Sequence, residues 1–278
     1  MPAPEPMLSS RGVDWPSGGG WVMQTKWDGF RLLVEVSRSG MARAWSRHGA
    51  SLGARVPAIL EPFREMPAGT IVDGELVAIG ESDGAPVQDF ASVRRAVFNG
   101  DPEAIRGLRF VAFDLLTIGG DDLRTRPWAE RDQELRRSLP LCDRVRMVES
   151  QPASRERHDA IVSLGFEGTV LKRVRSTYRA GRQSAWVKHK ARHIATGTAV
   201  EIREDRNGTR WVFCDVDGRR ILAGAAGAGA DVVGRRVRIA YSRVDADGSL
   251  REARIDQCQC AGSDGETVAV ERPRVGSP

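Results

Sequence analysis

The chain has 278 residues, which favours two domains, because a typical domain has roughly 150 residues. Hydrophobic residues make up 41% and charged residues 28%, a composition typical of a globular protein and too apolar for a disordered one. The net charge of +5 is compatible with a polyanionic partner without requiring one. Neither an apolar run of ~20 residues nor a secretory signal pattern is present, so we expect a cytoplasmic protein without a membrane span.

The four cysteines are too few and too scattered for a disulfide framework. Cys258 and Cys260 have one residue between them, and no second Cys or His pair lies at zinc spacing. We therefore expect a reduced scaffold without structural zinc.

The first 190 residues predict an α+β domain, after a lead-in over 1–20 that is rich in Pro, Ser and Gly. Alternating apolar and polar residues predict a strand from Trp21 that turns back at Ser39-Gly40, with Lys26 and Asp28 on one face. The remaining elements expected in chain order are a helix over 55–66, a strand pair or a strand with a bulge over 70–80, a helix over 89–106, a buried strand over 108–118, helices over 127–138 and 155–164, and strands over 166–174 and 186–190.

Beyond residue 195 the chain becomes a series of short β segments. Turn pairs at Asn207-Gly208, Asp217-Gly218 and Asp247-Gly248 separate them, which predicts a small barrel or sandwich. We therefore expect domains over 1–193 and 194–262, followed by a flexible tail over 263–278.

A cluster of charged residues surrounds a glycine in KWDGFR, residues 26–31. By itself it could be an exposed Lys-Asp-Arg trio on a hairpin. Further unusual segments follow in a fixed order: SRHG at 46–49, DGELVA at 73–78, FDLL at 113–116, EGTVLKR at 167–173, SxYxxGR at 176–182 and WVKHK at 186–190.

This set resembles the nucleotidyltransferase superfamily of ATP-dependent DNA ligases, RNA ligases and mRNA capping enzymes. The resemblance extends over about residues 5–190 and is closest to the compact bacterial ligases associated with DNA end joining. It implies an adenylation domain of antiparallel sheets flanked by helices over 1–193, followed by a small OB-fold barrel over 194–262. It also implies an enzyme that seals nicks in three steps, through AMP-lysine and a DNA-adenylate.

The resemblance also assigns roles to individual residues. Lys26 is the nucleophile, Asp28 acts in the later steps, and Lys188 and Lys190 contact the α-phosphate of ATP. Glu75 and Glu167 are the acidic positions expected to hold Mg²⁺ or Mn²⁺, and Glu75 also resembles the residue that binds the AMP ribose. The expected nucleotide-binding set is Gln24, Thr25, Lys26, Arg31, Arg47, Glu75, Phe113, Glu167, Arg182, Lys188 and Lys190.

Several positions in these segments have a second interpretation. Gln24 stands where many relatives carry Glu, although its amide oxygen can still accept a hydrogen bond from the adenine amino group. Phe113 resembles the aromatic that stacks on adenine but could be a core residue. Lys172 and Arg173 could be a solvated strand end, and Asp114 is expected to be a structural hydrogen-bonding acid.

Residues 167–192 carry eight Lys or Arg against one acid, a local charge of +7. We expect this stretch to face phosphates, with sequence-independent binding to nicked duplex DNA. The expected DNA contacts are Arg47, Arg173, Arg175, Arg251 and Arg254. The last two lie in REARI, where relatives of this subgroup commonly have Arg-His-Pro, so Glu252 and Ala253 depart from the pattern.

Two rival functions remain. One is another nucleotidyltransferase, such as an RNA ligase or a capping enzyme that uses GTP; the other is a catalytically silent nick-binding module. We expect a monomer without a separate DNA-binding, polymerase or nuclease domain. The core and the barrel would then bind the nick themselves, or a separate polymerase or end-binding protein would recruit the ligase to it.

Overall fold

A computed structural model of the chain describes residues 4–12, 15–82, 85–227, 231–244, 248–259 and 267–269. The chain divides into two compact units, Met1–His189 and Lys190–Pro278. No helix in the described ranges combines the length and the apolar composition that a membrane crossing requires.

The first unit is built from strands with a few short helices. Its described elements, in chain order, are β1 (Met7–Arg11), β2 (Trp21–Thr25), β3 (Phe30–Val36), β4 (Ala42–Ser46), α1 (Pro57–Leu60), β5 (Thr70–Ser82), β6 (Ala85–Gln88), α2 (Phe90–Arg94), α3 (Pro102–Arg106), β7 (Leu108–Ile118), β8 (Asp121–Asp122), α4 (Trp128–Ser138), β9 (Val145–Met147), β10 (Ser150–Pro152), α5 (Arg155–Ser163), β11 (Gly168–Arg173) and β12 (Gly181–Lys190).

These strands form two sheets. One has the order β1-β12-β11-β2-β10, and the other has the order β4-β3-β5-β7-β8 with β6 paired to β5 and β9 paired to β7. The sequence led us to expect antiparallel sheets, but β1 runs parallel to β12 and β9 runs parallel to β7, so both sheets are mixed.

The two faces of the second sheet contribute to different hydrophobic clusters, because successive side chains of a strand point to opposite sides. Leu32 and Val34 of β3 enter the main core together with α1 and α2. Leu33 lies on the other face, in a cluster with Met7 of β1 and Trp186 of β12. The first sheet therefore packs over the face of the second sheet that the main core leaves uncovered.

Several predicted elements are confirmed and others are broken into pieces. The buried strand β7, the helices α4 and α5, and the bulge in β5 at Asp73/Gly74 match the expectation. The helix expected over 55–66 stops at α1 and resumes as a 3-10 turn at Pro62–Glu65, because Pro62 has no backbone N–H to continue it. The helix expected over 89–106 becomes α2, a π turn and α3, interrupted by Gly100 with φ +67°.

The expected long hairpin over residues 21–46 is also wrong in its first half. The β3–β4 hairpin forms, but β2 belongs to the other sheet. Residues 26–29 form the connection between the two sheets, so Lys26 and Asp28 are not on one strand face.

The second unit is all β in its described part, and its strands are β13 (His193–Glu204), β14 (Arg210–Val216), β15 (Arg219–Ala225), β16 (Arg236–Tyr241), β17 (Arg243–Val244), β18 (Leu250–Arg251), β19 (Arg254–Gln259) and β20 (Thr267–Ala269). The main sheet has the order β15-β14-β13-β16-β19-β20, around a core that includes Val212, Val237 and Ile239. The turns at 207–208 and 217–218 form as expected, whereas Asp247 lies outside the described residues. So does most of the expected tail over 263–278, apart from β20.

Candidate nucleotide-binding site

The connection between the two sheets brings the KWDGFR and EGTVLKR segments together. The backbone N–H of Lys26 donates to the carbonyl of Gly168 at 2.9 Å. Gly168 has φ +141°, a conformation that favours glycine. Gly29 approaches the carbonyl oxygen of Leu76 so closely that a Cβ would collide with it. Both glycines therefore hold Lys26 beside Glu167 and β5.

A cavity of about 450 Å³ opens beside this connection, within the first unit. Five of the predicted nucleotide-binding residues line it from the first sheet and its loops: Gln24, Thr25, Lys26, Arg182 and Lys188. The cavity thus gathers three cations and two polar side chains from β2, β12 and the intersheet connection.

The second sheet supplies the opposite wall through Arg31, Arg47, Glu75 and Phe113. Arg31 of β3 lies directly opposite Glu75 of β5 in the antiparallel register. Both are on the face turned away from the main core, since their neighbours Leu32 and Leu76 enter that core. Arg47 lies in the exposed turn after β4. The alternation of three strands therefore places an arginine, a carboxylate and an aromatic ring on one cavity wall.

Lys26, which lines this cavity, forms an ion pair with Glu167, and the two side chains are 22% and 11% exposed. Burial raises the pKa of Glu75 to about 7, and the charges of Asp73 and Glu167 add to the rise, against the opposing effect of Arg31 and Lys26. Glu75 and Glu167 are therefore close enough to influence each other.

The residues present fit a hard divalent cation. Mg²⁺ binds through one or two carboxylates and completes its shell with water and phosphate oxygens. Glu75 and Glu167 offer such a pair next to the cationic cavity. No cluster of three or more His, Cys, Asp or Glu side chains suited to a metal occurs in the described ranges.

Arg31 is held by a buried network that the sequence analysis missed. Its guanidinium donates two hydrogen bonds of 2.5 Å to the carboxylate of Asp73. The hydroxyl of Tyr178 donates to the same carboxylate at 2.6 Å and accepts from the backbone N–H of Met7 at 2.9 Å. Arg31 also lies 4.4 Å from the ring centroid of Phe113. Asp73 and Tyr178 lie in the DGE and SxYxxGR segments, which were recognised in the sequence, but neither residue was given a role there.

Lys172 is the second missed residue. It is 1% exposed and lines the cavity, so the solvated strand end is wrong for this position. Its ammonium donates to the carbonyl of Phe113 at 2.8 Å and lies 4.0 Å from the ring centroid of Trp186. Burial lowers its pKa to about 7. The chain has four lysines against 38 arginines, and Lys26, Lys172 and Lys188 all line this cavity.

Phe113 and Asp114, neighbours on β7, have different surroundings. Phe113 lines the cavity and packs against Trp186, so it is both a wall residue and part of a hydrophobic cluster. Asp114 is fully buried and forms a two-point ion pair with Arg131, with distances of 2.7 and 2.9 Å. Its expected structural role is confirmed.

The structure does not bring every predicted residue to the cavity wall. Asp28 and Glu167 are not among the lining residues, and Glu167 reaches the cavity only through its ion pair with Lys26. The backbone N–H of Asp28 donates to the side chain of Gln88 at 2.6 Å. Arg173 and Arg175 are exposed on the first unit, where Arg173 lies 5.0 Å from the ring centroid of Trp21.

The remaining predicted residues belong to the second unit. Lys190 pairs there with Glu252. Arg251 lies on β18 and Arg254 begins β19.

The fold is that of the nucleotidyltransferase domains of ATP-dependent ligases, with mixed sheets and few helices. The ligase domain of LigD from M. tuberculosis matches with a TM-score of 0.58 and 22% identity over 92% of this chain and 94% of that one. A Lig E DNA ligase matches with a TM-score of 0.72 and 17% identity over 92% and 100%. Residues 6–190 match the family described as ATP dependent DNA ligase domain, and the chain belongs to this family.

Curated relatives agree with that membership. A probable DNA ligase of Anaeromyxobacter sp. (strain Fw109-5) is 34% identical over 68% of this chain and 38% of its own length. The multifunctional non-homologous end joining protein LigD of Pseudomonas aeruginosa is 30% identical over 82% of this chain and 28% of its own length. The chain thus spans well under half of these relatives.

Proposed function

We propose that this chain is an ATP-dependent DNA ligase that seals nicks in duplex DNA through a lysyl-AMP and a DNA-adenylate. The observation that carries the proposal is the position of Lys26. It is anchored to Gly168, paired with Glu167 and set in the wall of a cavity of nucleotide size with Arg182 and Lys188.

In the first step, the Lys26 amine attacks the α-phosphate of ATP. A P–N bond forms, and the bond to the leaving pyrophosphate breaks. The amine must be neutral to attack, so it gives up a proton to solvent before the P–N bond forms. Arg182 and Lys188 would stabilise the charge of the transition state, the main source of catalysis in phosphoryl transfer. We assign the same role to Lys190.

The opposite wall would bind the nucleoside. Glu75 would accept hydrogen bonds from the ribose, Arg31 would contact the ribose and the nick phosphate, and Phe113 would stack on the base. Stacking is typically worth ~1–3 kcal/mol per base. Their shared position on one cavity wall supports these roles, as does the network that fixes Arg31. Gln24 and Thr25 complete the pocket.

Glu75 and Glu167 are the residues that would hold Mg²⁺ or Mn²⁺. When bound, the cation would neutralise phosphate charge and relieve the repulsion between these two carboxylates.

The nick would lie against the basic surface of the first unit. Arg47 would hold the 5′-phosphate that receives AMP, with Asp28 acting in this later step, and the exposed Arg173 and Arg175 would contact the backbone without reading sequence. We propose that residues 194–262 are an OB-fold domain that contributes Arg251 and Arg254, consistent with an all-β second unit. Recruitment by a separate polymerase or end-binding protein remains part of the proposal.

Incubation with labelled ATP, followed by a chase with nicked DNA, tests this function. Lys26→Ala should abolish the protein adduct, whereas Arg47→Ala should spare the adduct and slow sealing. Lys26→Arg is the matched control, because it keeps the cation and removes the amine nucleophile. An adduct that persists in Lys26→Arg contradicts the assignment. A guanylate adduct, or sealing of nicked RNA alone, would identify the rival nucleotidyltransferase function.

A further inference from the structure

A chain of hydrogen bonds leads from the cavity wall into the protein behind it. β10 pairs antiparallel with β2, and Ser150 lies directly opposite Gln24. The side-chain amide of Gln24 donates from Nε2 to Ser150 Oγ at 2.9 Å. Gln24 is 2% exposed and lines the cavity two residues before Lys26. Its amide is therefore held from behind, next to the nucleophile.

The orientation of this amide follows from the group behind Ser150. A serine hydroxyl both donates and accepts, so Ser150 alone could hold either end of the amide. Ser150 Oγ also lies 3.5 Å from Asp132 Oδ1, and Asp132 forms an ion pair with Arg136 at 2.9 Å. An ionised carboxylate only accepts, so the Ser150 proton is directed to Asp132. Ser150 must then accept from Gln24, which places the amide nitrogen on its side.

The carbonyl end of Gln24 is left for a ligand. Within the described part of the chain, no hydrogen bond reaches Gln24 Oε1. A 6-aminopurine presents an N–H donor at C6, which a carbonyl oxygen can accept. A 6-oxopurine presents an oxygen there, so two acceptors would face each other without a proton between them. A reversed amide would favour the 6-oxopurine instead.

We propose that Ser150 and Asp132 are positioning residues that set the purine selectivity of the nucleotide site by fixing the direction of the Gln24 amide. This inference rests on the proposed function, because it requires the base to bind beside Gln24. Neither residue touches the nucleotide; both act through Gln24.

Substitution of Gln24 itself separates this role from a merely structural one. A glutamate at position 24 has two equivalent acceptor oxygens and no donor, so turning its carboxylate does not change the group that faces the base. Ser150→Ala should therefore alter selectivity in the Gln24 background and leave it unchanged in the Gln24→Glu background. General damage to the β2–β10 pair would affect both backgrounds alike.

The experiment measures lysyl-nucleotide adduct formation with labelled ATP and labelled GTP on the full chain. Ser150→Ala should raise the GTP-to-ATP ratio of adduct rates by about tenfold, the effect of losing one orienting hydrogen bond. Asp132→Asn should raise it similarly, because an amide can donate to Ser150 and so direct the Ser150 proton to Gln24. In the Gln24→Glu background both changes should stay within about twofold.

The outcomes distinguish the inference from the proposed function. No adduct in the unsubstituted protein overturns both. If the unsubstituted protein forms the adduct but Ser150→Ala leaves the ratio unchanged, or changes it equally in the two backgrounds, only the role of Ser150 and Asp132 is overturned. A change confined to the Gln24 background supports it.

Discussion

Replacing Lys172 by methionine should make the protein more stable at neutral pH and less active. Burial lowers the pKa of Lys172 from 10.5 to about 7, and the charges of Arg31 and Arg131 act in the same direction, while Asp114 and Asp73 oppose it. Between pH 7 and 10.5 the unfolded chain therefore binds a proton that the folded chain does not. Folding stability of the unsubstituted protein should rise with pH across this window. Methionine keeps the side-chain length without the charge.

The magnitude follows from the size of this shift. At 1.36 kcal/mol per pKa unit, the burial of Lys172 costs roughly 4 kcal/mol at pH 7 and about 2 kcal/mol at pH 9. The substitution also removes a hydrogen bond to Phe113, worth about 1 kcal/mol at either pH, and a cation–π contact with Trp186, worth about 1 kcal/mol only while Lys172 is charged. Lys172→Met should therefore stabilise the protein by about 2 kcal/mol at pH 7, and this gain should fall to about 1 kcal/mol near pH 9.

Urea unfolding of both proteins at pH 7 and pH 9 measures this difference. Arg173→Met is the matched control, since Arg173 is the exposed neighbour of Lys172 and should show a small effect that is the same at both pH values. A Lys172→Met effect that does not change with pH would refute the reasoning. Formation of the ATP adduct should fall in the same variant, because the lost amine lines the cavity. A gain in stability with a loss of activity indicates an amine retained for the ligand.

Three further substitutions test the site and its scaffold. Glu75→Gln should flatten the pH dependence of folding stability. The pKa of Glu75 in the folded protein, about 7, lies above its ordinary value of 4.5, so the stability of the unsubstituted protein falls by at most roughly 3 kcal/mol as pH rises between these values. Thermal unfolding at pH 5 and pH 8 measures this fall. Arg131→Met should cost about 3–5 kcal/mol in urea unfolding because it leaves Asp114 charged and unpaired in the core. Gly29→Ala should reduce ATP adduct formation by about tenfold or more, whereas Gly19→Ala, with open space around its Cα, should not.

The sequence predicted those elements whose apolar residues follow a single periodicity and whose end is marked by a proline or glycine. The apolar run of β7 and the helix after Pro127 form where expected. The broken helices were missed because proline and glycine interrupt a pattern whose apolar spacing continues: Ile59, Leu60 and Phe63 are all buried although the helix stops between them.

The connection over residues 26–29 was missed for a different reason. Alternation of apolar and polar residues indicates a strand with one buried and one exposed face, but it does not indicate which sheet the strand joins. Trp21–Thr25 and Phe30–Val36 alternate equally well, yet their partners lie far apart in sequence, Gly168–Arg173 for the first and Thr70–Ser82 for the second. The predicted motif residues that line the cavity meet there because of this change of sheet, and only long-range strand pairing determines it.

Lys172 illustrates a signal that could have been used. Its own strand predicts a solvated end, and its burial comes from Trp186 and Trp128, which lie on other elements. However, the chain uses arginine 38 times and lysine only four times. Arginine remains charged in proteins, whereas a buried lysine can lose its proton and act as a nucleophile or a neutral donor. In a chain that otherwise uses arginine, three of the four lysines line one cavity. By this criterion Lys172 belongs with Lys26 and Lys188, and their shared cavity is the place we propose for that chemistry.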